Sequence, residues 1–322
     1  MSDSLRMIAP MPRLRGDGDS WATEVRRIES MGFDTVSVSE HVTRGWQLSP
    51  LMAMAYAAAS TSRLRVLSLA VPNDLHHPAL LAKDIATLDV LSGGRVALGI
   101  GAGWQEGDYA TLGIPFRNVG TRIARLSEAL EVIRRYFTTD TVDFTGEHYR
   151  IDRMEALPRC VQRPRPPILV GAGGPRMLDL AGRTADIVGL HARMKNNAID
   201  DDTVADLTAG RIAQKVTRVR TAAASAGRPP PALQFSCYHV DVTDLPSPST
   251  QRSSWTARVQ AHAELLTGSP AVLTGTATEC ADHLREWRDR FGITYWNLGR
   301  SDGAAARIIE QLDRSNELAS SI

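Results

Sequence analysis

A chain of 322 residues, 43% hydrophobic and 23% charged, can bury a large core and is too apolar for disorder. Its formal net charge of +1 gives no electrostatic reason for a nucleic-acid partner or an anionic membrane. The longest apolar run, Leu51–Ala59, is too short for a bilayer, and the N-terminus has no charged-then-apolar leader. Three scattered cysteines (Cys160, Cys237, Cys280) form neither a metal spacing nor a disulfide framework, so a cytoplasmic protein is expected.

Leu5–Pro10 reads as a first strand. Trp21–Met31 reads as a helix stopped by Gly32, and Phe33–Ser39 alternates as a second strand. Ser49–Ser60 is rich in Ala and Met and helical, and Leu64–Val71 is a third strand. Within Ala79–Leu91, residues Leu80, Leu81, Ile85, Leu88 and Leu91 share a helical stripe. Arg95–Ile100 is the fourth strand. Ile123, Leu126, Leu130, Ile133 and Phe137 mark the clearest amphipathic helix. Thr138–Pro167 follows as a long mixed connection.

Ile168–Val170 is a short fifth strand running into Gly171, and Pro175–Arg183 is a helix with Pro in its first turn. Ala185–Leu190 is the sixth strand. Asp202–Ala226 is a helix ended by Gly227, and Leu233–Val240 is the seventh strand. Thr276–Phe291 is a helix stopped by Gly292, before an eighth strand, Ile293–Leu298. Strand–helix alternation over about 300 residues predicts a closed α/β (β/α)8 TIM barrel rather than an open doubly wound sheet. One domain over 1–322 is expected. Thr138–Pro167 and Asp244–Ser254 (DLPSPSTQRSS) break the rhythm, as insertion or lid segments or as plain exposed connections.

Barrel active sites form where strands end. Glu40-His41 follows the second strand, Val71–Asp74 the third, Gly101–Glu106 the fourth and Gly171–Gly174 the fifth, while Asp186 starts the sixth. His41 can exchange a proton near neutral pH, with Glu40 to tune it, or it can simply cap a loop. GAGGPR (Gly171–Arg176) has the parts of an anion site: glycines, a helix start and a cation. It lacks the third glycine of the dinucleotide fingerprint, and GIGAGW (Gly99–Trp104) ends in Trp, so a Rossmann site is unsupported. Glu40, His41, His76 and His77 have no metal-ligand spacing, and no G-x-S-x-G elbow is present.

Several long motifs occur in a recognisable order. They are NDLHHPALLAKDIATLDVLSGGRVALGIGAGWQEGDYATLGIPF (Asn73–Phe116), then RLSEALEVIRRYF, VDFTGEHYRI, QRPRPPILVGAGGPRMLDLAGRTADIVGL and TGTATECADHLREWRDRFGITYW. From roughly Trp21 to Leu298 the chain resembles the luciferase-like monooxygenase superfamily. It is most similar to the branch usually assigned to the deazaflavin coenzyme F420.

The resemblance implies a barrel, usually a homodimer, with F420 or FMN across the C-terminal face. It implies His41 and Glu40 as catalytic residues, with Glu106 as a second acid–base candidate. Ala70, Val71 and Asn73 would meet the cofactor ring near a cis peptide within Leu69–Asn73. That bond is expected at Leu69–Ala70 or Ala70–Val71 rather than Val71–Pro72, since Pro is at home in trans just past a strand. Gly101 and Gly103 would line the cofactor. Gly171, Ala172, Gly173 and Gly174, with Arg176, would hold its phosphate, and Trp46 and Trp104 would wall the substrate. The opening LRMIAPMP lacks the family's usual glycine, and Pro72 stands where relatives carry other residues.

The expected reaction is hydride transfer between F420 and a small organic substrate, with direction left open. Two alternatives stand beside it. One is an FMN-dependent monooxygenase needing a partner flavin reductase. The other is a non-catalytic flavin-binding protein. A flavin or F420 reductase would be the expected protein partner.

Overall fold

The computed structural model describes residues 4–43, 45, 47–194, 200–245, 254–262, 264–300 and 302–320. In chain order come β1 (Arg6–Pro10), α1 (Gly18–Ser30), β2 (Thr35–Val38), α2 (Pro50–Ser60) and β3 (Arg65–Ser68). A short β4 (Val71–Pro72) and a tight helical turn (Asn73–Leu75) precede α3 (Pro78–Leu91). Next are β5 (Val96–Gly101), α4 (Glu106–Leu112), α5 (Val119–Thr138), β6 (Thr141–Thr145) and β7 (Arg150–Glu155). Then come β8 (Ile168–Ala172), α6 (Pro175–Thr184), β9 (Ile187–Leu190), α7 (Asp201–Ala205) and α8 (Ala209–Ser225). The rest is β10 (Ala232–Ser236), β11 (His239–Val242), α9 (Ser254–Ala261), β12 (Val272–Gly275), α10 (Ala277–Phe291), β13 (Ile293–Asn297) and α11 (Gly303–Ser320).

Strands β1, β2, β3, β5, β8, β9, β10 and β13 pair in that order, all parallel, and β13 closes onto β1. This is the expected eight-stranded barrel. Alternation along each strand sorts the side chains into two shells. Val36, Val66, Leu98, Val170, Val188 and Phe235 face the helices in one large cluster. Ile8, Leu67, Ala97, Leu169 and Ile187 form a separate apolar plug inside the barrel. Two residues further along their strands stand Gly99, Gly171 and Gly189. The plug therefore gives way to open space at the C-terminal end.

Gly99 is required there. A Cβ at this position would lie 1.8 Å from the Ser68 carbonyl oxygen. The Ser68 hydroxyl donates to the Gly99 carbonyl and accepts the Gly99 N–H, both at 2.9 Å. These bonds replace ladder pairing, and the expected third strand, Leu64–Val71, ends at Ser68 instead.

Other elements also differ from expectation. The seventh strand stops at Ser236, and Val240 belongs to β11, which pairs with β12 apart from the barrel. The single helix expected over Asp202–Ala226 is two, because the backbone turns extended at Thr208 (φ −60, ψ 152), between α7 and α8. Segment 138–167 contains an antiparallel β6–β7 hairpin. Its turn is fixed by Glu128 of α5, whose carboxylate accepts the Glu147, His148 and Tyr149 N–H groups. Most of Asp244–Ser254 lies outside the described residues. Among the described residues no helix is long and apolar enough to cross a membrane. All three cysteines are buried thiols without a disulfide.

Candidate functional site

A cavity of about 1150 Å³ opens where the barrel strands end. At one end stands His41, just past β2. Its Nδ1–H donates to Asp108 Oδ2 at 2.6 Å. The other Asp108 oxygen accepts the Val42 and Thr43 N–H groups at 3.1 and 3.2 Å. Asp108 sits in the first turn of α4 with its side chain 2% exposed, so the helix start and the 41–43 loop are clamped together. Gln105 adds a bond to the Thr43 hydroxyl at 2.8 Å. Trp104 stands edge-on to the imidazole, with ring centroids 5.8 Å apart. Gly103 has φ +77, and a Cβ there would lie 2.0 Å from the Tyr109 hydroxyl. Burial pushes that phenol up to about 12.

Several expected site residues are elsewhere. Glu40 lines the cavity but pairs with His76 Nε2 at 2.7 Å, so it does not tune His41. Glu106 is exposed and off the cavity wall, and Asp108 takes the position beside the imidazole. The two acids are separated by about 200° around the helix. Asn73 is buried off the wall, where its amide donates to the Tyr149 hydroxyl at 3.0 Å. Trp46 lies outside the described residues.

Of the peptide bonds from Leu69 to Asn73, Leu69–Ala70 is the cis one. Leu69, Ala70 and Val71 line the cavity, as do Gly101, Gly103 and Trp104. The Ser39 hydroxyl holds the Leu69 carbonyl at 2.7 Å.

The other end is built from the β8–α6 loop. Gly171, Ala172, Gly173, Gly174 and Arg176 all line the cavity. Gly174 is the N-cap of α6 and no side chain satisfies that helix start, so its amides point to an anion position. A Cβ at Gly173 would stand 2.4 Å from the Ala192 carbonyl oxygen. Arg176 reaches the start of α5 beside Gly120. Arg122, buried on α5, stacks over Phe116 at 4.0 Å and donates to the Arg117 carbonyl. Its Nε has no partner among the described residues.

Behind this loop lies Lys215 of α8. Its ammonium donates to the His191 carbonyl at 2.6 Å, to the Gly173 carbonyl at 3.2 Å and to Asp206. Asp206 also accepts the Arg193 N–H at 2.7 Å. Burial holds the Lys215 ammonium below its usual range despite Asp206. Burial first, and the Lys215 charge second, push the His191 imidazole on the cavity wall down to about 4.

Sequence reading did not pick out Asp108, Arg122, Lys215 or His191. Two of these left a signal. Arg122 stands on the buried α5 stripe with Leu126, Ala129, Leu130 and Ile133, and Lys215 stands on the α8 stripe with Ile212, Val216 and Val219. A charge on an apolar stripe is a buried charge looking for a partner. Among the described residues no group of three or more side chains is placed to hold a metal ion.

The profile of the luciferase-like monooxygenase family matches residues 11–294. An F420-dependent glucose-6-phosphate dehydrogenase of Amycolatopsis mediterranei is 33% identical over 169 residues, 50% of this chain and 49% of that protein. An FMNH2-dependent dimethylsulfone monooxygenase of Pseudomonas putida is 33% identical over 128 residues, 40% of this chain and 35% of that protein. The chain thus spans about half, or less, of the length of these curated relatives. The coenzyme F420-dependent tetrahydromethanopterin reductase of Methanopyrus kandleri superposes with a TM-score of 0.72. It is 19% identical, covering 96% of this chain and 98% of that one, a likeness of fold.

Proposed function

The chain belongs to the luciferase-like monooxygenase family, and on that premise we propose that it is an F420-dependent oxidoreductase acting on a small organic substrate. The carrying observation is that one cavity joins an anion cradle to an oriented imidazole–carboxylate pair. The cradle fits the phosphate of a flavin-like cofactor on this chain's own geometry. Gly173 leaves no room for a side chain, and among the described residues the α6 start has no side-chain cap and Arg122 Nε no partner. Gly171–Gly174 with Arg176 and Arg122 would hold that phosphate, and Leu69–Val71 with Gly101 would meet the ring.

F420, when bound, supplies a two-electron hydride donor or acceptor. The protein must orient the reactants and move a proton. Asp108 engages Nδ1 of His41 and sets the ring plane, and Nε2 is the nitrogen we assign to give or take the substrate proton. Trp104 packs against the ring and limits its rotation.

An FMN-dependent monooxygenase supplied by a flavin reductase is the second reading, supported by the Pseudomonas putida relative. Titration with F420 and FMN side by side separates the two. Tighter F420 binding and F420 turnover without oxygen uptake are expected. Equal or tighter FMN binding, with FMN-dependent oxygen consumption, replaces the first reading with the second.

A homodimer is part of the proposal. Met52 and Tyr56 of α2 and Leu80 of α3 are exposed apolar residues on helices in contact, a surface that a second copy would cover. Sedimentation of Met52→Lys should then move toward monomer, and an unchanged mass would remove the dimer from the reading.

A further inference from the structure

The cavity wall carries a second imidazole–carboxylate pair that the reaction outlined above does not use. Glu40 lines the cavity, and its Oε2 lies 2.7 Å from Nε2 of His76. Their side chains are 15% and 20% exposed respectively, so the pair is sheltered without being sealed. His76 follows the tight turn after β4 and is not part of the wall. It stands behind Glu40, next to the exposed His77.

Hydride transfer creates a need for this pair. Oxidising an alcohol sends the C–H hydride to the cofactor and the O–H proton to a base, and reduction runs both in reverse. In every turnover a proton must therefore leave or reach the reacting centre. The His41–Asp108 pair offers no exit at its back. Asp108 is 2% exposed, and its oxygens are engaged by the imidazole and by the Val42 and Thr43 N–H groups.

We infer that Glu40 and His76 form the proton conduit between the cavity and solvent. The inference rests on the oxidoreductase reading of the cavity. Outward, the N–H bond formed at His41 Nε2 on taking the substrate proton breaks, and through water in the cavity an O–H bond forms at the Glu40 carboxylate. That bond breaks as an N–H bond forms at His76 Nε2, and the ring releases its Nδ1 proton to water. Inward, water protonates Nδ1 and Nε2–H passes its proton to Glu40. No electrons move in either direction, and each bond formed to the proton is matched by one broken. The pairing suits this task, because an imidazole can take a proton at one nitrogen while losing one from the other.

The test uses the full chain with F420 and an accepted substrate in weak buffer. His76→Gln keeps a donor for Glu40 but cannot pass a proton. It is expected to lower turnover by about 10²-fold with F420 affinity unchanged. In His76→Ala, added imidazole should restore turnover in proportion to its concentration, and the same imidazole should leave Glu40→Gln slow. A structural ion pair would not respond to a soluble base. Wild-type turnover in a folded His76→Gln, or no imidazole response in His76→Ala, overturns the conduit alone. Failure of the wild type to turn over F420 overturns the functional reading and the conduit with it. A readout that needs no cofactor is the ¹⁵N spectrum of the ligand-free protein. The outward step starts from the Nδ1–H tautomer and the inward step from the Nε2–H tautomer, so in either case the His76 ring nitrogens should shift in Glu40→Gln, and unchanged His76 shifts would overturn the inference.

Discussion

At the glycine-loop end the cavity is shaped by backbone and fixed charge, whereas at the His41 end it is shaped by side chains clamped to a helix. The first end owes its form to a loop with no room for a Cβ at Gly173, an uncapped helix start and a lysine behind the loop. The second owes its form to one carboxylate that fixes both a ring and the loop carrying it. The difference teaches that the ends should fail separately. Damage at the loop should cost affinity, and damage at the ring should cost rate.

The largest expected effect is at the ring. His41→Ala should lower turnover by about 10²–10⁴-fold while F420 titration gives an unchanged affinity. A folded mutant that loses affinity and keeps its rate would reverse the assignment of the two ends. Asp108→Asn should be milder, about 10–100-fold in turnover, because the imidazole remains but its orienting acceptor is altered. Equal effects of Asp108→Asn and Glu106→Gln on turnover would contradict the placement of Glu106 on the exposed side of α4.

Acid should act first at the loop end. The His191 imidazole titrates near 4 in the folded protein, below the value of about 6.5 expected when unfolded. Between these values the unfolded chain binds more protons. The stability His191 contributes is therefore complete above about pH 6.5 and is lost as pH falls toward 4. Each pKa unit corresponds to about 1.4 kcal/mol. His191 is partly open to the cavity, so the loss should be about 2 kcal/mol. Urea unfolding at pH 7 and pH 4.5 measures it, and a His191→Gln protein should show a smaller drop. An identical drop in both proteins would clear His191 of any role in acid sensitivity.

The smallest expected effect is Gly173→Ala. The added Cβ forces the loop away from Ala192, and F420 affinity should fall about tenfold, or 1.4 kcal/mol, with turnover at saturation preserved. Undiminished affinity would reduce the loop to a turn.

Much of this architecture was legible from sequence because it follows from short-range pattern. β-branched alternation marked the eight barrel strands, and glycines after Val170 marked the loop that lines the cavity before α6. The residues that escaped did so for identifiable reasons. Glu106 and Asp108 look interchangeable until α4 forms, and then only Asp108 faces His41. Glu40 and His41 are neighbours in sequence, yet the extended backbone after β2 sends each to a different partner. Asn73 is drawn inward by Tyr149, a residue 76 positions away on the β6–β7 hairpin, which no local pattern announces. Lys215 and Arg122 stand as charges on apolar stripes, but the Lys215 carbonyl partners, Gly173 and His191, come from loops 42 and 24 positions away, and those of Arg122 from the turn just before α5.

Lys215 has one more consequence. Its ammonium joins the carbonyls of Gly173 and His191 to Asp206, so the glycine loop is braced from the rear by two side chains that stand off the cavity wall. The conformational entropy of ordering the loop is then lost during folding and need not be lost again on association. A loop prepared in this way should have nearly the same shape with and without its ligand. Binding should bring little loss of backbone motion there, and association should proceed at a rate set by encounter rather than by rearrangement.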